Sequence, residues 1–192
     1  MIALLKKKAV GILSCDRYRW EILACLSAGV FLGCITQAVY GGRSEWSGVI
    51  EKYCAGFLPA FITVAPVTLG FAATVFLCGT MEYLRLLIYP ASAFRGMGLG
   101  ALVCGALQSG GLRELSFAAL LLLPYAAASC VLTVYSGEYA LGLKGTFTSE
   151  NAGLTRNLML HLLKMMSFYL AVAAIICAVF AVSCVYFGQY LI

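Results

Sequence analysis

Five long apolar segments occupy most of this 192-residue chain, and they limit its folding more than any other feature. Four of them contain no charged residue: Ile22 to Gly42, Gly56 to Met81, Leu115 to Gly137 and Met165 to Ile192. The fifth, Leu86 to Gln108, contains one charge, Arg95. A helix needs about 20 apolar residues to cross a hydrocarbon layer roughly 30 Å thick, whereas buried helices of water-soluble domains are usually shorter. Each segment is therefore long enough to cross a membrane once.

The composition agrees with this interpretation. Hydrophobic residues make up 62% of the chain and charged residues 11%, against roughly 25% charged residues in an ordinary soluble domain. In hydrocarbon every backbone polar group must be paired within the protein, so only helical bundles and closed barrels are stable there. Continuous apolar runs, unlike alternating stretches of about ten residues, favour helices. The sequence predicts an all-α, polytopic membrane protein with about five transmembrane helices, and residues 1–192 form a single integral membrane domain.

The uneven distribution of lysine and arginine predicts how the chain is oriented. The N-terminal segment and the connections after the second and fourth apolar segments together hold more basic residues than the alternate connections do. Because excess lysine and arginine mark the cytoplasmic side, the N-terminus is predicted to be cytoplasmic and the C-terminus outside. Residues 1–19 are interpreted as a basic juxtamembrane segment attracted to anionic membrane lipid. The richer regions contain Lys6, Lys7, Lys8, Arg17, Arg19, Arg85, Lys144, Arg156 and Lys164; the poorer ones contain Arg43, Lys52 and Arg113.

Arg95 is the most informative single residue for function. If the third helix begins at Leu86, Arg95 lies about 14 Å deep, near the centre of the bilayer. A charge at that depth costs about 2.5 to 3.5 kcal/mol on insertion scales, so the side chain is expected to face protein or water. Pro90 disfavours helix before it, which predicts instead a broken or re-entrant segment around Pro90 to Gly96. Arg95 then either binds a partner, a lipid headgroup or an anion, or hydrogen-bonds the carbonyls of the broken helix.

Small residues mark places where helices can approach closely. Gly29 and Gly33 form a G-x-x-x-G pattern on the first span, Gly96 and Gly100 form another on the third, and Gly105 extends the same small face. Small residues let helix backbones approach in lipid, where no hydrophobic force acts between helices. Packing within this bundle is the favoured interpretation, and a contact with a partner or in a homo-oligomer is the alternative.

Nothing in the sequence indicates catalysis, a metal site, a cofactor or nucleic-acid binding. It has no G-x-S-x-G or H-E-x-x-H pattern, no phosphate-binding loop and no pair of acidic residues inside a span. Its nine cysteines include no C-x-x-C pair, and its one histidine, His161, stands alone. Thr63, Thr68 and Thr74 are expected to bond to carbonyls of their own helix. We therefore expect a protein that is not an enzyme.

The order of features resembles the stage II sporulation protein M family, small polytopic membrane proteins of spore-forming bacteria. A basic N-terminal segment precedes a first span whose glycine pattern ends at Gly33, and a second span follows. The run from Tyr89 to Gly96 (YPASAFRG) then leads into further glycines, where the family has an apolar run that meets a basic residue and a glycine. The sequence Leu123-Pro124 in the fourth span and the long apolar C-terminal span are also similar.

The resemblance implies a non-enzymatic scaffold of the machinery that remodels septal peptidoglycan during engulfment. Its partners would be membrane-anchored cell-wall hydrolases, one a lytic transglycosylase and the other an amidase or endopeptidase, contacted mainly through transmembrane helices. It would lie at the sporulation septum or engulfing membrane. One alternative is a small membrane transport component, a substrate-binding subunit or permease half, with a midplane site at Arg95, Gln108 and the broken third helix. A homo-oligomer built on the glycine faces is another.

Overall fold

The computed structural model describes residues 2–41, 46–80, 82–109, 111–142 and 152–191, with side chains for residues 18–41, 48, 50–79, 83–109, 111–141 and 160–190. These residues are almost entirely helical and contain no β-strand. The helices are α1 (Ile2–Tyr40), α2 (Trp46–Cys54), α3 (Phe57–Thr80), α4 (Ile88–Gln108), α5 (Leu112–Phe117), α6 (Leu123–Gly142) and α7 (Ala152–Leu191). A 3₁₀ turn, Glu82–Leu87, leads into α4, and a π-helical turn, Ala118–Leu122, joins α5 to α6.

The prediction of an all-helical chain with five long apolar helices is confirmed. Five stretches of the described residues are long and apolar enough to cross a membrane, and they coincide with the five apolar segments of the sequence: Tyr18–Tyr40, Phe57–Gly79, Tyr83–Gln108, Leu112–Leu141 and Leu160–Tyr190. The backbone of the basic N-terminal segment continues α1 from Ile2, while its side chains before Tyr18 lie outside the described residues.

The predicted break around Pro90 to Gly96 is absent, because α4 is a continuous helix from Ile88 to Gln108. Pro90 is the third residue of that helix, and the first four amides of a helix have no carbonyl to bond within it. Its missing N–H therefore removes no helical hydrogen bond, and its fixed φ suits the first turn. The irregular part of this span is instead the 3₁₀ turn Glu82–Leu87, ahead of the proline.

The fourth span contains a π-helical turn just before Pro124. A proline inside a helix cannot donate to the carbonyl four residues earlier, and its ring crowds that carbonyl. Widening the helix for one turn relieves this conflict: the amide of Leu123 donates to the carbonyl of Ala118, five residues back. Such single-turn bulges occur often at functional sites, and this one ends three residues before Tyr125.

The long helices pack in two groups. The most extensive contact is between α1 and α4, whereas α3 packs chiefly on α7 and α6. The short helix α2 lies against α3, α5 and α7, and it inserts Ile50 and half-buried Tyr53 into the bundle. The i, i+3 spacing of Ile50 and Tyr53 is the sequence signal for this helix.

The core is divided into two apolar clusters by a polar layer. One cluster surrounds Phe117 and Phe180, and the other surrounds Ile22 and Val134. On α3, buried Val64 belongs to the first and buried Val75 to the second, with buried Thr68 between them. The same order recurs on α4 and α6, where Arg95 and Ser129 occupy the intermediate position. These polar side chains therefore form a layer across the middle of the bundle.

Candidate midplane site at Arg95

Arg95 is buried at the middle of its span. It lies halfway along Tyr83–Gln108, and only 7% of its surface is exposed. The glycines that follow it on α4 bring this helix close to α1, so the long arginine side chain extends to the opposite side, toward α3 and α6. The structure thus agrees with the expectation that the charge faces protein.

Three hydroxyl groups accept hydrogen bonds from Arg95. Its Nε donates to Ser129 Oγ at 3.2 Å, and its Nη2 lies 2.5 Å from the same oxygen. Nη2 also lies 3.2 Å from Thr68 Oγ1 and 3.2 Å from the Tyr125 hydroxyl. The Thr68 and Tyr125 oxygens are themselves 2.6 Å apart. One guanidinium therefore joins α3, α4 and α6 through a connected set of hydrogen bonds.

No carboxylate in the described part of the chain lies within 4 Å of the Arg95 nitrogens. The charge is instead surrounded by hydroxyl dipoles and by the ring of Phe71, whose centroid is 5.6 Å from Cζ. Phe71 stacks on Phe94 with ring centroids 6.3 Å apart. A cation–π contact is worth roughly 0.5 to 2 kcal/mol, more when water is excluded. These contacts solvate the cation but leave its charge uncompensated.

Two cavities meet at Arg95. The larger, of about 80 Å³, extends toward α2 and is lined by Tyr53, Thr63, Leu99 and Tyr125, among others. The smaller, of about 10 Å³, extends along α6 past Ser129. Nη1 of Arg95 donates no hydrogen bond to the described residues. The guanidinium therefore retains donor capacity next to open volume.

The two glycine patterns face each other where α1 crosses α4. A Cβ added at Gly29 would overlap the backbone of Ala93, and one at Gly33 would overlap Met97. In return, a Cβ at Gly96 would overlap the Leu26 carbonyl and one at Gly100 that of Val30. The two backbones are thus in direct contact at four points, an arrangement typical of small-xxx-small helix pairs in membranes.

The remaining candidate residues lie apart from this contact. Gly105 is buried farther along α4, while Pro90 is exposed near the beginning of the same helix. Pro124 is exposed on α6 and lines a cavity of about 290 Å³ between α6 and α7. The structure therefore brings together Arg95 and the four crossing glycines around one segment of α4, and leaves the two prolines at its periphery.

Sequence reasoning missed the hydroxyl groups that surround Arg95. Thr63 and Thr74 do bond to carbonyls of their own helix, at 2.7 and 2.8 Å, but Thr68 bonds Arg95 and Tyr125 instead. On α6 the acceptors belong to a buried polar stripe that would have revealed them, since its members are spaced by three or four residues. The stripe comprises Tyr125, Ser129, Thr133 and Ser136.

A second polar contact that the sequence did not indicate joins α1 to α6. Arg19 binds Glu138 through two hydrogen bonds, of 2.8 and 3.0 Å, and its guanidinium lies 5.4 Å from the ring centroid of Tyr135. Glu138 is 6% exposed. Nearby on α1, Glu21 accepts a 2.7 Å bond from the Tyr89 hydroxyl. The pairing of both glutamates depends on how the helices pack, which the sequence does not specify.

Among the described residues, no group of three or more His, Cys, Asp or Glu side chains is placed to hold a metal ion. Comparison with models of known protein families finds no match, and comparisons with curated proteins and with solved structures find no significant similarity. The class of protein to which this chain belongs is therefore defined by its fold alone. Five apolar helices of sufficient length fit a multi-pass membrane protein.

Proposed function

We propose that this chain is a non-enzymatic membrane scaffold that holds membrane-anchored partners through its transmembrane helices. On the resemblance to the stage II sporulation protein M family, the partners are cell-wall hydrolases, and the complex remodels septal peptidoglycan during engulfment. The protein would then reside in the cell membrane, at the sporulation septum or engulfing membrane.

One observation supports a scaffold above the others. The Tyr89 to Gly96 run, one of the features that carry the resemblance, is where the helices are joined. Within it, Gly96 contacts the backbone of α1 and Arg95 bonds side chains of α3 and α6. A segment with these contacts fixes the relative positions of four long helices, which is what a platform for partner helices requires.

The proposal includes a topology with the N-terminus in the cytoplasm and the C-terminus outside. It is supported by the distribution of lysine and arginine, since the N-terminal segment and the connections after the second and fourth spans together hold nine of these residues and the alternate connections three. An odd number of crossings places the two ends in different compartments. Reporter fusions at residues 1 and 192 test this, and activity of both fusions in one compartment would contradict five crossings.

Affinity capture from sporulating cells tests the scaffold. Capture of the full chain should recover cell-wall hydrolases, and its deletion should stall engulfment. Gly96→Leu should weaken the capture because the added side chain separates α1 from α4, whereas Gly98→Leu is the matched control, since a Cβ there meets nothing within 4 Å. Recovery of a nucleotide-driven transport ATPase in place of hydrolases would contradict the proposal.

A second candidate function is a ligand site at the bilayer midplane, as in a small transport component. It is favoured by one observation, the buried guanidinium of Arg95 next to a cavity of about 80 Å³. Ionisable residues inside membranes commonly mark the path or site of a substrate. A ligand of this site should protect the purified protein against thermal unfolding, and Arg95→Gln should abolish that protection.

A further inference from the structure

We propose that the cavity between Arg95 and Tyr53 binds one small monovalent anion, a halide or a short carboxylate. This inference rests on the second candidate function, the midplane site, and is independent of the scaffold. It narrows the ligand of that site to a small monovalent anion, whereas the sequence left a partner, a lipid headgroup or an anion open.

The charge at the site favours an anion over a neutral or cationic ligand. Only 7% of the surface of Arg95 is exposed, and no carboxylate of the described residues lies within 4 Å of its nitrogens. Two unit charges 4 Å apart attract by about 4 kcal/mol at an effective dielectric constant near 20. The hydroxyl dipoles stabilise the cation but carry no net negative charge, which an anion in the cavity would add.

Two residues that line the cavity have hydrogen-bond donors to spare. Nη1 of Arg95 forms no hydrogen bond to the described residues. Tyr53, on α2, lines the same cavity, and its hydroxyl forms no hydrogen bond within the described part of the chain. A guanidinium and a phenol O–H can both donate to one anion, which accepts hydrogen bonds and gives none.

The size and the walls of the cavity select among anions. About 80 Å³ is small beside a 150 Å³ cavity, which accommodates benzene. Most of the other lining residues are apolar and include Val64, Leu99 and Phe180. A doubly charged, strongly hydrated oxyanion would lose its water there with one guanidinium to replace it. A single charge on a small ion or on a short carboxylate matches both the volume and the one cation.

Thermal unfolding of the purified full chain in chloride-free buffer tests the inference, with sodium chloride or sodium formate as the probe. Each salt should raise the midpoint saturably, as expected for a ligand that binds only the folded state. Sodium sulfate at matched ionic strength should not. Arg95→Gln should raise the apparent Kd at least about tenfold and Tyr53→Phe by roughly threefold to tenfold, whereas Lys52→Gln, an exposed change on α2, should leave it unchanged.

Several outcomes would overturn the proposed anion site. An equal shift with sulfate indicates general screening, and an unchanged shift in Arg95→Gln places the anion elsewhere. If Arg95→Gln does not fold, Leu99→Phe provides the second variant, since it fills the cavity and keeps the cation. Chloride binding that survives Leu99→Phe contradicts the proposed location.

A labelling experiment separates failure of the anion from failure of the midplane site. Leu102→Cys, on the cavity wall, is introduced into a variant without native cysteines and exposed to a small polar thiol reagent. If the reagent labels the cysteine and the anion does not slow this labelling, the site is accessible but takes another ligand, so only the anion is wrong. If the reagent does not label the cysteine and the anion has no effect, the second candidate function fails together with the anion site.

Discussion

Arg19 and Glu138 form two parallel hydrogen bonds, of 2.8 and 3.0 Å, across the contact between α1 and α6. Their side chains are 43% and 8% exposed, so the glutamate is buried while the arginine reaches the boundary of the bundle. A bidentate pair fixes orientation as well as distance, since the planar guanidinium matches the two carboxylate oxygens. The pair thereby sets how α1, which also packs along α4, meets the rest of the protein.

The first prediction concerns this pair. Arg19→Gln and Glu138→Gln should each destabilise the bundle, and a double-mutant cycle should give a coupling of about 1 to 3 kcal/mol because the two residues contact each other directly. Arg19→Lys should recover only part of the loss, since lysine keeps the charge but not the fork of donors. Reversible unfolding in mixed micelles measures all four variants. Additive single effects would show that the pair contributes no specific interaction.

The second prediction concerns the crossing of α1 and α4. Gly96→Ala should destabilise the protein by roughly 1 to 3 kcal/mol, because the added methyl group would overlap the Leu26 carbonyl and force the backbones apart. Gly98→Ala is the control on the same helix, two residues away and facing open space. It should be neutral or slightly stabilising, since alanine favours helix over glycine by about 1 kcal/mol.

Unfolding of both variants in detergent, together with their size on gel filtration, checks this result. A loss of stability without a change in oligomeric state is expected from a contact within one chain. If Gly96→Ala leaves stability unchanged but dissociates a homo-oligomer, the glycine face would serve a contact between chains, as the alternative interpretation of the sequence holds.

The third prediction concerns the acceptors of Arg95. Thr68→Val and Ser129→Ala should each cost about 1.5 to 3 kcal/mol, because each removes a hydrogen bond to a buried charged group. Thr74→Val is the matched control on α3, since its hydroxyl bonds only the Gly70 carbonyl on an exposed face. In an Arg95→Leu background the cost of Thr68→Val should shrink. Equal costs in both backgrounds would show that Thr68 does not act through the arginine.

The fourth prediction concerns Tyr53, which packs against Phe117 and Phe180. Burial, with a smaller contribution from Tyr125, raises the pKa of the Tyr53 phenol above its ordinary value of 10. The unfolded chain therefore loses this proton at a lower pH than the folded chain. Its contribution to stability is fully present below about pH 10 and declines as the pH rises above that value.

Unfolding measured between pH 8 and 11 tests this dependence. Tyr53→Phe should remove part of the decline, while Tyr83→Phe, at a position that is 95% exposed, should not. Parallel pH profiles for the wild type and Tyr53→Phe would show that the phenol is not buried in the folded protein.

The sequence by itself determined the class of fold. Five apolar segments, each long enough to cross a bilayer, leave no other way to pair the backbone in hydrocarbon, so the all-helical fold and its number of long helices followed directly. The small faces of α1 and α4 could also be predicted from the glycine patterns, because such a face depends on the sequence of one helix only. Pro90 was misjudged as a break because a proline is tolerated when it falls in the first turn, and the beginning of α4 was not evident from composition.

The tertiary structure alone decided which side chains meet. Arg95 was recognised from sequence, but its acceptors come from α3 and α6, 27 to 34 residues away along the chain. Glu138 lies 119 residues from its partner Arg19. Such contacts depend on how helices cross and rotate about their axes, which is set by packing over their whole length. A single sequence specifies the faces of each helix but not which faces come together.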